Sequence, residues 1–497
     1  MPRRPPEAAR GHRGAARRDP LGVRADGEPR PLRQDRGRAV IARELAGWVL
    51  GLRYEDIDPE TEAYCRELVL DHLGTAARGG VMENMPSVDR ALAAMGAGQG
   101  STLTAVVGKA PARPEWAVFT NAIAAHSVEL DDTHSASSLH PAVVVIPGAM
   151  AAAEVEGASG RELIAAIVAG YEVACRLGRA LTAKEVYAKG FHPTAIVGPF
   201  ATAAAVGKLI GLTEEQLSHA FGIAASQAAG RTEFLSEGAW TKRLHPGWSS
   251  HAGYVAARLA QQGFTGPLRP FDGRDGLLRG YGSDENLARL TQGLGRPFEL
   301  AITSVKPHAC CRYNQGPIDL ALQLRAEHGI GPDDVQSIEV GVVSAAVGIV
   351  VEPRERKVRP TNDVDAQFSL PYAVGLGIAK GQASLDEYAT EALGDAAVLA
   401  VAERTQAVVR PEHDARFPDL WPCDMTVTTT DGRTLTAALE HAKGDPENRL
   451  GYAGMCAKFR ALGASVFDDA QLDAIIAACD DLADGGIGPL AAAVTRR

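Results

Sequence analysis

Residues 126–141 read HSVELDDTHSASSLHP, and they place ionisable and hydroxyl side chains between two segments that are almost wholly apolar. If the alanine-rich run from Trp116 onward is a helix, His126, Glu129 and Thr133 occupy positions i, i+3 and i+7. Residues at these spacings lie on one face of a helix. The stretch therefore predicts that an imidazole, a carboxylate and a hydroxyl group point at one spot.

The second half of this stretch predicts a loop and a new helix. Residues 134–138 read HSASS, a flexible composition, and Pro141 can serve as the first residue of the next helix. The two halves together predict a helix, loop, helix unit whose loop is free to close over a ligand. The alternative is that Asp131, Asp132 and the serines only cap helix ends in water.

Length and composition predict a soluble protein of two helix-rich domains. The 497 residues exceed what one ordinary core holds. Aromatic residues make up only 5% of the chain, which favours closely packed helices over a β-sandwich. No apolar run reaches the roughly 18 residues that span a bilayer. The seven cysteines have neither disulfide nor zinc spacing, which fits a reducing cytoplasm.

Residues 1–38 differ in composition from the rest of the chain. They contain eleven arginines against five acids, many prolines and glycines, and almost no large apolar side chains. Such a segment cannot bury a core, so we predict a disordered Arg/Pro-rich tail. Because the tail carries +6 of a formal net charge of −10, the remaining chain carries −16. This acidic body argues against nucleic acid as a partner.

The apolar spacing from Val40 onward is helical over more than two hundred residues. Capping-box patterns at residues 159–162 (SGRE) and 213–216 (TEEQ) mark two helix starts. Residues 194–209 are so rich in small side chains that we expect them at a crowded helix crossing. Helical spacing returns near the end of the chain. We therefore predict a large all-helical domain that is discontinuous in sequence, from residues 39–297 and 444–497.

Residues 298–443 predict a smaller α+β lid domain, so the fold class is mainly α. Polar and apolar residues alternate over parts of residues 335–343 and 425–430, as in half-buried strands. Asp431-Gly432 separates the second of these runs from residues 434–439, which is a hairpin signal. Helical patterns lie between the strand signals.

Three cationic motifs interrupt the apolar sequence at predicted helix starts. They contain, in turn, His192; Lys242, Arg243 and His245; and Lys306, His308 and Arg312. A helix N-terminus favours anions, arginine can bind a carboxylate through two parallel hydrogen bonds, and lysine acts as a point charge. The motifs therefore indicate a site for a multiply charged carboxylate. The ordinary alternative is that these residues are exposed charges and helix-end histidines.

Other kinds of chemistry fit the sequence less well. The adjacent Cys310 and Cys311 are typical of buried thiols. No glycine-rich phosphate loop is present. A metal ion could be bound by Glu129, Asp132, His134 and His140, but the spacing of these residues matches no standard metal-ligand motif. Bases beside cations instead indicate proton transfer next to a carboxylate, in which the cations stabilise an enolate-like charge.

The chain resembles the MmgE/PrpD family, which contains 2-methylcitrate dehydratase, cis-aconitate decarboxylase and iminodisuccinate epimerase. The resemblance rests on segments in family order from about residue 40 to 460: HSVELDDTH, HPAVVVIPGAMAAAE, KGFHPTAIVGPFATAAAVGKLIGLT, GAWTKRLHPGWSSHAGYVAARLAQQGFTGP, VKPHACCRYNQGPID, DAQFSLPYAVG and GDPENRL. It implies a helical domain and a lid domain with the active site between them. It also implies a homodimer that uses neither a metal nor an organic cofactor.

The resemblance assigns roles to particular residues. The expected catalytic residues are His192, His140, Glu129, Thr133 and Tyr372. Among these, the two histidines are the candidate acid and base, Glu129 and Thr133 orient them, and Tyr372 supplies a hydrogen bond or a proton. The expected substrate-binding residues are Lys242 and Lys306, which the resemblance also assigns, together with Arg312 and His245, which come from the cationic motifs alone.

Two positions depart from the family pattern. Glu129 stands where the family commonly has Asp, which moves the carboxylate outward by one methylene. Cys311 stands where the decarboxylases place a histidine, and His308-Ala309 replaces the Tyr-Pro of many dehydratases. These departures argue against cis-aconitate decarboxylation and leave the substrate open.

We therefore predict a cofactor-independent lyase, a hydro-lyase like 2-methylcitrate dehydratase, that acts on a small di- or tricarboxylate. Decarboxylation and epimerisation are alternatives within the family. A non-catalytic carboxylate-binding protein is the alternative from another class. The expected partners are a small carboxylate and a second copy of the chain, with no nucleic acid and no membrane.

Overall fold

The computed structural model describes residues 41–495. The disordered tail predicted for residues 1–38 lies outside the described residues. Within them, the fold is mainly α-helical, as the sequence predicted, with one small sheet. None of the described helices is long and apolar enough to cross a membrane.

The first half of the described chain is a succession of helices joined by loops and short 3₁₀ turns. These helices are Ile41–Gly51 (α1), Pro59–Gly79 (α2), Met85–Ala94 (α3), Pro114–His126 (α4), Ala142–Glu156 (α5), Gly160–Leu181 (α6), Ala183–Ala188 (α7), Pro193–Leu209 (α8), Glu214–Ala225 (α9), Phe234–Glu237 (α10), Thr241–Gln261 (α11) and Leu277–Tyr281 (α12). Both predicted capping boxes are confirmed: Ser159 with Glu162 begins α6, and Thr213 with Gln216 begins α9.

Helices and four strands alternate in the second half, and helices alone close the chain. The helices are Arg312–His328 (α13), Ser344–Ala346 (α14), Arg354–Val358 (α15), Asp363–Gln367 (α16), Leu370–Lys380 (α17), Ala396–Arg404 (α18), Pro411–Asp414 (α19), Gly451–Gly463 (α20), Asp469–Asp480 (α21), Leu482–Gly485 (α22) and Ile487–Val494 (α23). The strands are Val335–Val342 (β1), Thr405–Val409 (β2), Cys423–Thr429 (β3) and Thr434–Leu439 (β4).

The four strands form one sheet in the order β2-β1-β3-β4. Strand β1 runs parallel to β2, with Ile338 opposite Thr405, and antiparallel to β3, with Val340 opposite Met425. Strands β3 and β4 form the hairpin that the Asp431-Gly432 turn predicted. Strand β2 was not predicted, because its five residues are too few to show a clear alternation.

Small residues permit close helix crossings around α8, as the sequence predicted. A Cβ atom added at Gly198 of α8 would lie 2.4 Å from the Ser249 Oγ of α11. One added at Gly253 of α11 would lie 2.4 Å from the Pro199 carbonyl oxygen of α8. Any side chain at these two glycines would force the helices apart, and α8 and α11 would lose the contact that fixes the cationic start of α11.

Helix α11 begins at Thr241, so the second cationic motif lies inside this helix and not, as the sequence predicted, just before a helix start. Pro246 also lies inside α11. As a result, Lys242, Arg243 and His245 belong to the first turns of the helix rather than to the loop before it.

Three large hydrophobic cores and one small cluster around Val106 and Ala117 hold the described residues together. The largest joins the N-terminal helices to the C-terminal ones, so Leu68 and Phe459, for example, share it. A second lies under the sheet. A third packs Val128 and Leu130 of the loop after α4 against residues of α17 such as Tyr372. The division into domains at residues 298 and 443 stays a prediction.

Candidate active site

The loop between α4 and α5 carries the cluster that the sequence singled out, but it is not helical. Helix α4 ends at His126, and Glu129 has a φ of 54°, in the left-handed region. The Thr133 backbone pairs with Ser304 through two hydrogen bonds of 2.8 Å. The shared helical face predicted for His126, Glu129 and Thr133 is therefore wrong, because the helix stops before the second of them.

Two buried lysines meet two buried carboxylates beside this loop. Lys242 from α11 forms an ion pair with Glu129. The Nζ atom of Lys306 lies 3.1 Å from Asp131 Oδ1 and 3.7 Å from Glu129 Oε2. All four residues are less than a tenth exposed, so their charges interact through protein rather than water.

The charges of this cluster stabilise one another against burial. Burial alone would raise the pKa of Glu129 and of Asp131, but the facing lysines outweigh it and hold both below their usual range. Burial would likewise lower the pKa of Lys306, yet Asp131 and Glu129 raise it. At neutral pH the cluster therefore consists of ions, two cations facing two anions.

Four histidine rings line up beside these ions. The ring centroids of His126 and His140 are 5.0 Å apart, those of His126 and His192 5.9 Å, and those of His192 and His245 5.2 Å. Burial, reinforced by nearby cations such as Lys242, lowers the pKa of each ring, to about 3 for His140 and to about 4 for His245. All four are thus neutral at pH 7 and free to accept a proton.

The tautomer of His140 follows from one hydrogen bond. Its Nδ1 atom lies 2.7 Å from the carbonyl oxygen of Asp132. A carbonyl oxygen only accepts, so Nδ1 must carry the hydrogen and Nε2 must hold the free electron pair. Thr133 Oγ1 lies 3.3 Å from the same Nδ1. His140 is therefore fixed as a base through Nε2.

His192 and His245 form a histidine pair. His192 directly precedes α8, as predicted, and its Nδ1 atom lies 3.1 Å from the Nδ1 atom of His245. One ring must donate and the other accept, so the two tautomers are coupled. His245 acts on His192 and does not line the cavity, whereas the sequence placed it in contact with substrate.

A narrow cavity of about 50 Å³ opens in front of this cluster. Most of the predicted site residues line it: Glu129, Thr133, His140, His192, Lys242 and Arg312. Lys306 lies behind Glu129 and Asp131, with a side chain only 1% exposed. The opposite wall includes Cys311, Tyr313, Phe368 and Trp421. Segments from both halves of the chain thus enclose one cavity with a cationic side and a row of neutral imidazoles.

Two family domain models match this chain, one over its first part and one over its second part. Residues 43–290 match the MmgE/PrpD N-terminal domain, and residues 308–482 match the MmgE/PrpD C-terminal domain. The chain belongs to the MmgE/PrpD family.

Relatives of this MmgE/PrpD chain cover nearly its whole length. A cis-aconitate decarboxylase-like protein of Aspergillus oryzae is 29% identical over 88% of this chain and 93% of its own. The cis-aconitate decarboxylase of Aspergillus terreus is 25% identical over 91% and 95%. That of Mus musculus is 24% identical over 89% and 91%.

Tyr372 is the predicted catalytic residue that the structure leaves outside the MmgE/PrpD cavity. Its side chain is buried in the third core, and its hydroxyl group lies 3.2 Å from the carbonyl oxygen of Glu387. Ser369 caps α17 by accepting from the Tyr372 backbone N–H at 3.1 Å, which turns the ring toward Tyr388. The role predicted for Tyr372 as a donor to substrate does not fit this position.

Two residues beside the cavity, Asp131 and His126, are absent from the predicted catalytic and substrate-binding sets. Asp131 was set aside as a helix cap in water, yet it is 1% exposed and contacts Lys306, His126 and, at 3.4 Å, His140 Nδ1. His126 Nδ1 donates to Asp131 Oδ2 at 2.7 Å, and its buried Nε2 has no hydrogen-bond partner among residues 41–495. The available signal was the position of both residues in the same polar stretch, but sequence alone does not show which carboxylate is buried.

Asp132 and His134 support the loop. Asp132 Oδ1 accepts from the Ala142 backbone N–H at 3.0 Å, at the start of α5, and Oδ2 accepts from the Tyr171 hydroxyl at 2.8 Å. His134 pairs with Glu299 at 3.0 Å. The set of four considered as metal ligands is thus divided between the cavity and these structural contacts, and among residues 41–495 no group of His, Cys, Asp or Glu is arranged to hold a metal ion.

We expect Asp132 to make the protein less stable as pH rises toward 8. Burial outweighs its two hydrogen bonds and raises its pKa to about 8. The folded chain therefore keeps a proton that the unfolded chain releases near pH 4, and the stabilisation present at low pH is lost as pH rises through 8. Urea denaturation of the wild type and of Asp132→Asn at pH 5 and at pH 8 tests this. From pH 5 to pH 8, the free energy of unfolding should fall by on the order of 2 kcal/mol less in the variant than in the wild type. Equal losses would show that Asp132 is already ionised.

Proposed function

We propose that this MmgE/PrpD protein is a lyase that transfers a proton next to a carboxylate group of a small di- or tricarboxylate. The observation that carries this proposal is the cavity wall in which Lys242, backed by the buried Lys306, adjoins two neutral histidines with lowered pKa values. The lysines suit a polyanion, and the imidazoles suit proton transfer.

Binding would use the cations of the wall. Lys242 faces the cavity directly, and Arg312 lines it from the start of α13. Lys306 would act on a ligand only by its electrostatic field, because Glu129 and Asp131 lie between its ammonium group and the cavity. A bound carboxylate adds negative charge beside His140 and His192, which favours their protonated forms and raises both pKa values toward the working range.

The chemical step would begin at His140. Its Nε2 electron pair would remove the proton from the carbon next to a carboxylate, and the electrons of that C–H bond would pass into the carboxylate as an enolate-like charge. Lys242 and Lys306 would stabilise that charge, because preorganised cations in a low-dielectric site stabilise developing negative charge. Thr133 and Asp132 would hold the His140 ring at the required angle.

Loss of water is the outcome we place first. In that reaction the enolate electrons form a carbon–carbon double bond, the neighbouring hydroxyl group leaves, and a protonated His192 supplies the hydrogen that makes it water. Cys311 supports this choice. It occupies the cavity wall where the decarboxylases are expected to have histidine, and burial raises its thiol pKa, so it stays an uncharged thiol and cannot replace the proton transfer of an imidazole.

Decarboxylation is the second candidate, because the relatives named above are cis-aconitate decarboxylases or resemble them. In that reaction a carboxylate group leaves as carbon dioxide. The electrons of the broken carbon–carbon bond stay on the remaining carbon, which a protonated His140 or His192 then protonates. The same lysines would stabilise the same kind of carbanion.

A panel assay in deuterated water tests the proposal. The purified chain is incubated with hydroxylated and unsaturated di- and tricarboxylates, including 2-methylcitrate and cis-aconitate, and the products are followed by NMR. An alkene with loss of water supports dehydration, and carbon dioxide supports decarboxylation. Deuterium exchange with inversion but no other change points to an epimerase. Tight binding of a tricarboxylate with neither exchange nor turnover would replace the lyase proposal by a carboxylate-binding function. Cofactor independence, the homodimer and the cytoplasmic location remain predictions.

A further inference from the structure

A further buried lysine lies behind the site, and the function proposed above gives it no role. Lys458 belongs to α20, and its side chain is only 10% exposed. Its Nζ atom lies 2.6 Å from Asp71 Oδ1 of α2 and donates a 2.7 Å hydrogen bond to the carbonyl oxygen of Leu130. Leu130 stands between Glu129 and Asp131, the two carboxylates that face the lysines of the site. Helix α20 therefore contacts the loop after α4 at its centre.

The crossing of α2 with α20 fixes where Lys458 lies. A Cβ atom added at Gly74 of α2 would lie 3.2 Å from the ring of Phe459 and 3.3 Å from its Cα atom. Lys458 directly precedes Phe459, so this close approach brings its ammonium group to α2. Leu462, one turn after Lys458 on α20, shares the third core with Leu130. Packed helices thus set the position of Lys458, and the loop rests on it.

The backbone of this loop needs an external restraint. Glu129 has a φ of 54°, and a left-handed conformation is strained in a residue with a Cβ atom. Such a conformation persists only where the surrounding contacts enforce it. Leu130 is 5% exposed, so without Lys458 its carbonyl oxygen would be buried without the charged donor. The loop would then relax, and the carboxylates of Glu129 and Asp131 would move with it.

Stability alone gives little reason to bury Asp71 with Lys458. Taking two charges out of water costs about as much free energy as their attraction supplies, and apolar residues of similar volume are often as stable or more stable. The pair is explained if the ammonium group serves to hold the Leu130 carbonyl group. Asp71 is then the counter-ion that lets a lysine remain buried at that point.

We propose that Lys458 is a positioning residue that fixes the peptide between Glu129 and Asp131 and thereby aims both carboxylates. The inference rests on the proposed lyase function. Lys458 does not line the cavity, so it acts on the reaction only through the loop.

Both carboxylates contact groups that the proposed reaction uses. Glu129 pairs with Lys242 on the cavity wall. Asp131 accepts from His126 Nδ1 at 2.7 Å and lies 3.4 Å from His140 Nδ1. Displacing such groups by about 1 Å can lower a rate by about 10²-fold.

A double variant tests the proposal without leaving a buried charge unpaired. Asp71→Leu together with Lys458→Met removes both ions and keeps similar side-chain shapes, so the chain should fold. The donor to Leu130 is lost, and kcat on the substrate found by the panel assay should fall by about 10²-fold. The single variant Lys458→Arg keeps both a cation and a donor, and it should keep most of the rate.

Proton NMR of the imidazole N–H groups adds a measurement that needs no substrate. The His126 Nδ1 hydrogen that is donated to Asp131 should give a downfield resonance, and its absence in His126→Gln assigns it. In the double variant this resonance should move upfield or disappear, because Asp131 shifts with the loop. In Lys458→Arg it should stay in place.

Lys208→Met is the matched control. Lys208 also donates to backbone carbonyl oxygens, those of Val49, Leu50 and Leu52, but neither it nor these residues line the cavity. This variant should lose stability and keep both kcat and the His126 resonance.

If the double variant fails to fold, Asp71→Asn together with Lys458→Gln replaces it, with the same expected results. Its two neutral amides can bond to each other, whereas the shorter glutamine ends short of the Leu130 carbonyl group.

Three results would overturn the proposal: an unchanged His126 resonance in the double variant, wild-type kcat in the double variant, and the same shift of the resonance in Lys208→Met. If the wild type turns over no carboxylate of the panel, the lyase function fails. The His126 resonance then still decides whether Lys458 positions Asp131, so the two failures are distinguishable.

Discussion

Replacing Lys306 by Met is expected to abolish measurable turnover and to lower the free energy of unfolding by about 3–5 kcal/mol. The Lys306 side chain is almost fully buried, and its ammonium group lies 3.1 Å from Asp131 and 3.7 Å from Glu129. Methionine fills similar space but leaves Asp131 buried without the cation that stabilises its charge. The remaining negative charge would also repel a carboxylate substrate and would destabilise the enolate-like charge.

Urea denaturation and a turnover assay at pH 7 check the two parts of this prediction. Lys208→Met is the matched control, because the Lys208 ammonium group is partly buried and bonds to the carbonyl oxygens of Val49, Leu50 and Leu52. That variant should also lose stability, but it should keep turnover, since Lys208 does not line the cavity. Near-normal turnover in Lys306→Met would show that Lys242 and Arg312 alone carry the electrostatic role.

Features that depend on neighbours in sequence were predicted well. The capping boxes of α6 and α9, the β3–β4 hairpin and the position of His192 before α8 each follow from a few adjacent residues. The crowded α8 crossing was also predictable, because a run of small side chains has few other uses. Such features reflect local backbone chemistry.

Features that depend on distant contacts were not predicted. Thr133, in the loop after α4, pairs with Ser304, more than 170 residues away in the sequence. The importance of Asp131 follows from Lys306, which comes from another segment. Tyr372 matched a family position, but the packing of α17 turns its hydroxyl group away from the cavity. A carboxylate that caps a helix and one that pairs with a buried lysine are indistinguishable in sequence.

The lysines and carboxylates beside the cavity balance one another in charge, and this affects selectivity. Lys242 and Lys306 face Glu129 and Asp131, so two cations meet two anions before any ligand arrives. A monocarboxylate would have to compete with these internal carboxylates for the lysines and would gain little. A ligand with several carboxylates can add the contact with Arg312, which favours di- and tricarboxylates over smaller acids.

Replacing His140 by Asn is expected to lower kcat by about 10²–10⁴-fold while carboxylate binding is retained. Asparagine can still donate to the Asp132 carbonyl group from the His140 position, so the loop should stay in place, but it has no basic nitrogen. Exchange of the substrate proton with deuterated water should fall in parallel with kcat. The wild-type pH profile of kcat/KM, which reports ionisations of the free protein, should lack an acid limb near pH 6.5, because burial and Lys306 outweigh Asp131 and lower the pKa of His140 to about 3.

His251→Asn provides the matched control for this variant. His251 of α11 packs between Trp116 of α4 and Trp248 of α11, and it does not line the cavity. Its replacement should leave kcat and proton exchange nearly unchanged. If His140→Asn exchanges the substrate proton at the wild-type rate, the base is His192. The position of the free electron pair on His192 depends on whether His192 donates to His245 or accepts from it. In that case His192→Asn should show the large loss instead, and His245→Asn should shift the pH profile, because His245 acts on the reaction only through the tautomer of His192.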